Sequence, residues 1–126
     1  MRKHLLFLLF LFIGFTGFSQ IEVSPSTVDL VTDVSVHDAI AEFRVTNTST
    51  DTLTVWWRLN VENAPEQWDY EICDCNLCYL PGLLSTPCAQ PCTMMPGEGF
   101  VFMVHVLADG FAGDADIMLD VLSECD

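Results

Sequence analysis

The chain has 126 residues, 18 of them acidic against 4 basic, and a formal net charge of −14. A surface of that sign repels nucleic acid and anionic lipid headgroups, so neither is an expected partner. The length suits one domain with one core, and no internal repeat or long linker is visible.

The first twenty residues read MRKHLLFLLFLFIGFTGFSQ. Arg2 and Lys3 form a basic head, residues 5–15 an apolar stretch, and Gly17 and Ser19 the small residues ahead of a cleavage after Ser19. This is the pattern of a secretory signal peptide. A membrane anchor needs about 20 apolar residues, and here Gly14 breaks the run early. No cysteine follows the apolar stretch, so a lipid anchor is not expected. The expected division is therefore a signal peptide over 1–19 and a mature domain over 20–126. That domain is exported to the periplasm or the cell exterior, with no further membrane span. Arg2 and Lys3 leave with the peptide and all acids stay, so the mature chain carries −16 and no lysine. Its acids are spread along the chain, as on a solvated surface.

An edge strand is expected near 21–23, continuing at 28–31, with Pro25 at the break. Next, Ala41, Phe43 and Val45 alternate with Glu42, Arg44 and Thr46. After the polar stretch NTSTD at 47–51, Leu53, Val55, Trp57, Leu59 and Val61 alternate with Thr54, Trp56, Arg58 and Asn60. Two alternating runs around a short polar loop predict an antiparallel hairpin. Trp68, Tyr70 and Ile72 mark another strand. After a cysteine-rich segment and the turn MPGEG at 95–99, Phe100, Phe102, Val104 and Val106 alternate with Val101, Met103, His105 and Leu107. The loop DGFAG at 109–113 then leads to Ala115, Ile117, Leu119 and Val121, predicting a second hairpin. No helical periodicity of useful length appears. About seven short strands separated by turn signals predict an all-β antiparallel sandwich. Trp57, in the apolar phase, is expected inside. Trp56, in the polar phase, packs under a loop or joins an exposed patch, so Trp56, Asp109 and Phe111 are a candidate binding surface.

Five of the six cysteines lie in EICDCNLCYLPGLLSTPCAQPC at 71–92, and the sixth is Cys125. An even number in a small exported domain predicts three disulfides, whose connectivity the sequence does not choose. The alternative is a periplasmic metal-handling protein. Cys73, Cys75, Cys78, Cys88 and Cys92 supply enough sulfur for zinc or copper(I), and Met94, Met95, Met103, Met118 and His105 add donors for copper. The paired spacing of a zinc ribbon is lacking, and an oxidising compartment favours bonds over thiols, so no metal or cofactor is expected. A redox C-x-x-C at Cys75 and Cys78 is disfavoured by Glu71 and Asp74, whose charge opposes a thiolate. The mature chain has two histidines, His37 and His105, and no G-x-S-x-G or H-E-x-x-H. The stretch DGFAGDAD at 109–116 lacks the ligand loop of an EF-hand and reads as a glycine-supported hairpin turn. No catalytic residue is assigned, and an enzyme is not expected.

The series VTNTSTDTLTVWWRL, Pro65-x-x-Trp68, I-C-D-x-x-x-C-Y-x-P at 72–81, P-G-E at 96–98 and D-G-x-A-G-x-A at 109–115 resembles a family. It is similar to the immunoglobulin-like domain of secreted Bacteroidota proteins, over roughly 37–125. The W…CDxxxCY segment is its most specific part. The resemblance implies an immunoglobulin-like fold and a noncatalytic structural or binding module of the cell envelope, with a protein or glycan partner. It also implies a bond from Cys73 to Cys78. Cys88 with Cys92, and Cys75 with Cys125, are the expected remaining pairs, the last holding down the C-terminus. The type nine sorting domain that members often carry is not expected after Asp126.

Overall fold

A computed structural model describes residues 20–30, 33 and 35–125; the predicted signal peptide lies outside them. Seven strands follow in order: β1 (Ile21–Ser24), β2 (Ala39–Asn47), β3 (Leu53–Glu62), β4 (Asp69–Cys73), β5 (Cys92–Met94), β6 (Gly99–Leu107) and β7 (Asp116–Leu122). They form two antiparallel sheets, β1-β2-β6-β4 and β5-β3-β7. The fold is an all-β, immunoglobulin-like sandwich with three disulfides. Among the described residues no helix is long and apolar enough to cross a membrane.

The alternating phases fill the space between the sheets. Val45, Phe102, Val104 and Ile72 from one sheet meet Val55, Trp57, Leu59 and Met94 from the other. Trp57, 3% exposed, is the largest of these, and its indole meets Phe102 edge-on at 5.3 Å. Burying such rings is the main stabilising term, at about 25 cal/mol per Å².

Neither predicted hairpin forms. β2 pairs with β1 and β6, whereas β3 pairs with β5 and β7, so residues 48–52 cross between sheets. Likewise β6 pairs with β2 and β4, and the loop at 108–115 crosses to β7 in the opposite sheet. Alternation fixes which side of a strand faces the core, but not which neighbour it bonds. Stacked sheets lie about 10 Å apart, a gap that a loop of a few residues spans. Asn47 makes the first crossing specific. Fully buried, it donates from Nδ2 to the carbonyls of Asp51 (2.7 Å) and Met94 (3.0 Å). Its Oδ1 accepts from the amide (2.9 Å) and hydroxyl (2.7 Å) of Ser49.

The expected edge strand forms at β1 alone. Residues 28–30 form no strand, and Val31 lies outside the described residues. The short β5 inside the cysteine-rich segment was not predicted; three residues show too little alternation.

Residues 74–91 form a strap on one side of the sandwich. The amides of Tyr79 and Gly82 donate to Ile72 and Tyr70 carbonyls at 2.8 and 3.3 Å, covering the free edge of β4. The strap then crosses to the other sheet. There Leu59 donates to the Leu84 carbonyl at 2.8 Å, and Thr86 to that of Trp57 at 2.9 Å. Two edges are thereby shielded from pairing with other chains. The opposite side ends in β1 and β7, and among the described residues β7 pairs with β3 alone.

Candidate functional site at the strap and the open edge

Asp74 organises the beginning of the strap. Its Oδ2 accepts from Trp57 Nε1 (2.8 Å) and Tyr79 OH (2.9 Å), and its Oδ1 from the amides of Asn76 (2.8 Å) and Leu77 (3.3 Å). The carboxylate thus ties the central core tryptophan to the loop. Burial, with the hydrogen bond to Asp74 second, pushes the Tyr79 phenol up to about 12. Burial also raises the Tyr70 phenol, with the charge of Asp69 adding to it.

The six cysteines join as Cys73–Cys78, Cys75–Cys92 and Cys88–Cys125. The first pair is the one implied by the resemblance. The expected pairs Cys88–Cys92 and Cys75–Cys125 do not form, for a reason visible in the register. Cys92 stands opposite Val55 and faces the core, 1% exposed. Cys88 lies over the outer face of the same sheet, where its carbonyl accepts from Trp56 Nε1 at 3.2 Å. The two therefore occupy opposite faces. Cys125 follows Leu122, which stands opposite Trp56, and so reaches Cys88. The alternative set of metal ligands, Cys73, Cys75, Cys78, Cys88 and Cys92, offers no thiolate, because every one of them is bonded to another cysteine.

A second cluster was not read from the sequence. His105 points outward from β6, with its Nδ1 2.9 Å from an Asp38 carboxylate oxygen and its Nε2 3.6 Å from Cys73 Sγ. Glu71 stands opposite His105 in the β4–β6 register. Asp38 lies just ahead of β2, and the alignment depends on how β4 and β2 flank β6. Local spacing contains none of that.

The candidate surface residues divide between the two ends of β7. Phe111 and Asp109 sit exposed on the loop ahead of it, with Asp109 at φ 50° and Gly110 at φ 79° making the turn. Trp68 Nε1 donates to the Phe111 carbonyl at 2.7 Å, and Gly113 sits against the ring of Pro65, leaving no room for a Cβ. The P-x-x-W stretch is therefore the seat of this loop. Trp56, half-buried, lies opposite Leu122 at the far end, about 20 Å away at strand rise. Between them the outer face carries Arg58, 3.2 Å from Asp120, and Asn60, which donates to Asp120 at 2.6 Å.

The side holding β1 and β7 is less well sealed than the strapped side. Ile117, Leu119 and Val121 face the core yet are only half-buried. A hollow of about 160 Å³ opens there, lined by Ile21, Leu53, Val55, Val121 and Leu122 among others.

No protein-family model matches the chain, and no curated protein matches it. Among solved structures, the N-terminal domain of PorA is similar, with a TM-score of 0.53 and 15% identity. The match covers 76% of this chain and 69% of that one. At this identity the likeness is one of fold.

Proposed function

We propose that the chain is a noncatalytic exported module of the cell envelope that binds a protein or glycan partner, and that its open side receives the partner. The signal-like leader and the disulfides of a small domain support export to the periplasm or cell exterior. The observation that carries the binding reading is the unpaired edge of β7. In an immunoglobulin constant-type sandwich, one sheet is ordered ABED and the other CFG. Here β1-β2-β6-β4 takes the ABED places, and β3 and β7 take C and F. The place of G, beyond β7, is open among the described residues, and beside it lie the half-buried core residues and the hollow. An extended strand bonding to β7 would complete the sheet and set alternate side chains over that hollow. Its ends would lie by the loop that carries Phe111 and by the Leu122 end of β7. The role needs no cofactor and no catalytic group.

The test places a photoactivatable side chain at Met118, 54% exposed on β7, in the exported protein inside producing cells. The proposal expects a discrete adduct from Met118 and none from the same group at Leu80 on the strap. A chain retained inside the cell with reduced thiols, or adducts equally frequent at both positions, refutes it. An adduct removed by glycosidase but not by protease refutes strand addition at β7, because a glycan has no peptide backbone to pair with that edge.

A further inference from the structure

We propose that Cys73–Cys78 is a thiol-exchange site that accepts electrons from a dithiol protein, with His105 as proton donor and Asp38 as its positioning residue. The inference is independent of the binding reading, because it concerns the strapped side of the sandwich.

The two sulfurs differ in access. Cys73 is 3% exposed, at the end of β4, whereas Cys78 lies in an exposed part of the strap. Thiol–disulfide exchange proceeds by attack on one sulfur and departure of the other, and access decides which is attacked. An incoming thiolate therefore reaches Cys78, and Cys73 leaves. The leaving sulfur faces His105 Nε2 at 3.6 Å, and His105 Nδ1 is held by Asp38 at 2.9 Å. A doubly protonated imidazole donates from Nδ1 to Asp38 and from Nε2 to Sγ as the S–S bond breaks. The charged groups facing the ring are Asp38 from the segment before β2 and Glu71 from β4; Ile40 opposes it on β2.

The step balances. A thiolate of the partner forms a bond to Cys78 sulfur, the Cys73–Cys78 bond breaks, and Cys73 takes the electron pair and the Nε2 proton. The partner's second thiol then attacks its own sulfur in the mixed disulfide and expels Cys78 as a thiolate, which takes up the proton. Two electrons and one proton pass from the partner to this chain, and the partner becomes a disulfide. The other proton comes from His105, which regains it from solvent, where the partner's first thiol released its own on ionising. Leu77 and Leu80, 43% and 86% exposed, flank Cys78 and offer apolar footing to a folded partner.

The experiment uses the full mature protein, oxidised, with a reduced thioredoxin-fold dithiol protein. Timed alkylation and peptide mapping follow each disulfide separately. The proposal expects Cys73–Cys78 to open first, and a partner lacking its resolving cysteine to be trapped on Cys78. His105→Gln should lower the ratio of Cys73–Cys78 opening to Cys75–Cys92 opening by about tenfold or more, with Asp38→Asn lowering it in the same direction. A variant that is merely less stable opens its disulfides faster, so the Cys73–Cys78 rate must itself fall in His105→Gln, and not the ratio alone. Should His105→Gln fail to fold, Asp38→Asn carries the test. Capture on Cys73, simultaneous opening of all three bonds, or an unchanged ratio overturns the proposal.

Discussion

Removing Cys88–Cys125 should destabilise the fold more than removing either other disulfide. The three bonds close loops with sequence separations of 37, 17 and 5 residues. Loop-closure entropy in the unfolded chain then assigns them about 4, 3 and 2 kcal/mol respectively. A domain of this size has a total stability of roughly 5 to 15 kcal/mol, so the first loss is a large share. The perturbation is Cys88→Ser with Cys125→Ser, compared with Cys73→Ser with Cys78→Ser, each keeping the other two bonds. Urea unfolding without reductant, followed by tryptophan fluorescence, measures both. Trp57 reports the core, and Trp56 reports the strap through its bond to the Cys88 carbonyl. At a slope near 1 to 1.5 kcal/mol per molar urea, the midpoints should fall by roughly 3 M and 1.5 M. Equal losses, or a greater loss for the short loop, would show that native-state contacts rather than chain entropy set the order.

Three further outcomes are expected. Asn47→Asp removes both Nδ2 donors and sets a carboxylate against the carbonyls of Asp51 and Met94 at a fully buried position. It should cost about 3 kcal/mol in chemical denaturation. Asp74→Ala strands the Trp57 indole and Tyr79 hydroxyl donors, and should cost about 2 to 4 kcal/mol in the same assay. In alkaline titration at 295 nm, both tyrosines should ionise above the ordinary value of about 10, with Tyr79 near 12. Because the folded state holds these protons longer than the unfolded one, the stabilisation is complete below pH 10. It is lost as pH rises toward 12. Ionisation of both tyrosines at the ordinary value of about 10 in the folded protein refutes the burial of Tyr79.

The side each strand turns to the core was legible in the sequence; the partner across each ladder was not. The alternation of Val55, Trp57 and Leu59 placed them inside, where they are. The same alternation serves a hairpin or a crossing between sheets, and here it serves the crossing. Asn47 left a faint trace, because an Asn ahead of T-S-T-D is a turn-forming stretch. The pairing of Cys88 with Cys125 depends on Cys92 facing inward while Cys88 lies outside. Local spacing has no access to that fact. The Asp38–His105–Cys73 contacts depend likewise on β2 and β4 flanking β6 in one register. A lone strand histidine gave no sign of them.

The two sides of the sandwich are chemically separable, and the disulfides explain how. Cys75–Cys92 fastens the beginning of the strap to β5, and Cys88–Cys125 fastens its later part to the segment after β7. Opening Cys73–Cys78 therefore frees only a short loop beside β4 and leaves both longer ties in place. Asp74 and its four donors still hold the strap to Trp57. Exchange at Cys78 should thus leave the edge of β7 unchanged. Losing Cys88–Cys125 should loosen the end of β7 opposite Trp56, the end where an added strand would finish. A crosslink at Met118 that survives reduction of Cys73–Cys78 but fails in the Cys88→Ser, Cys125→Ser protein is the pattern this arrangement requires.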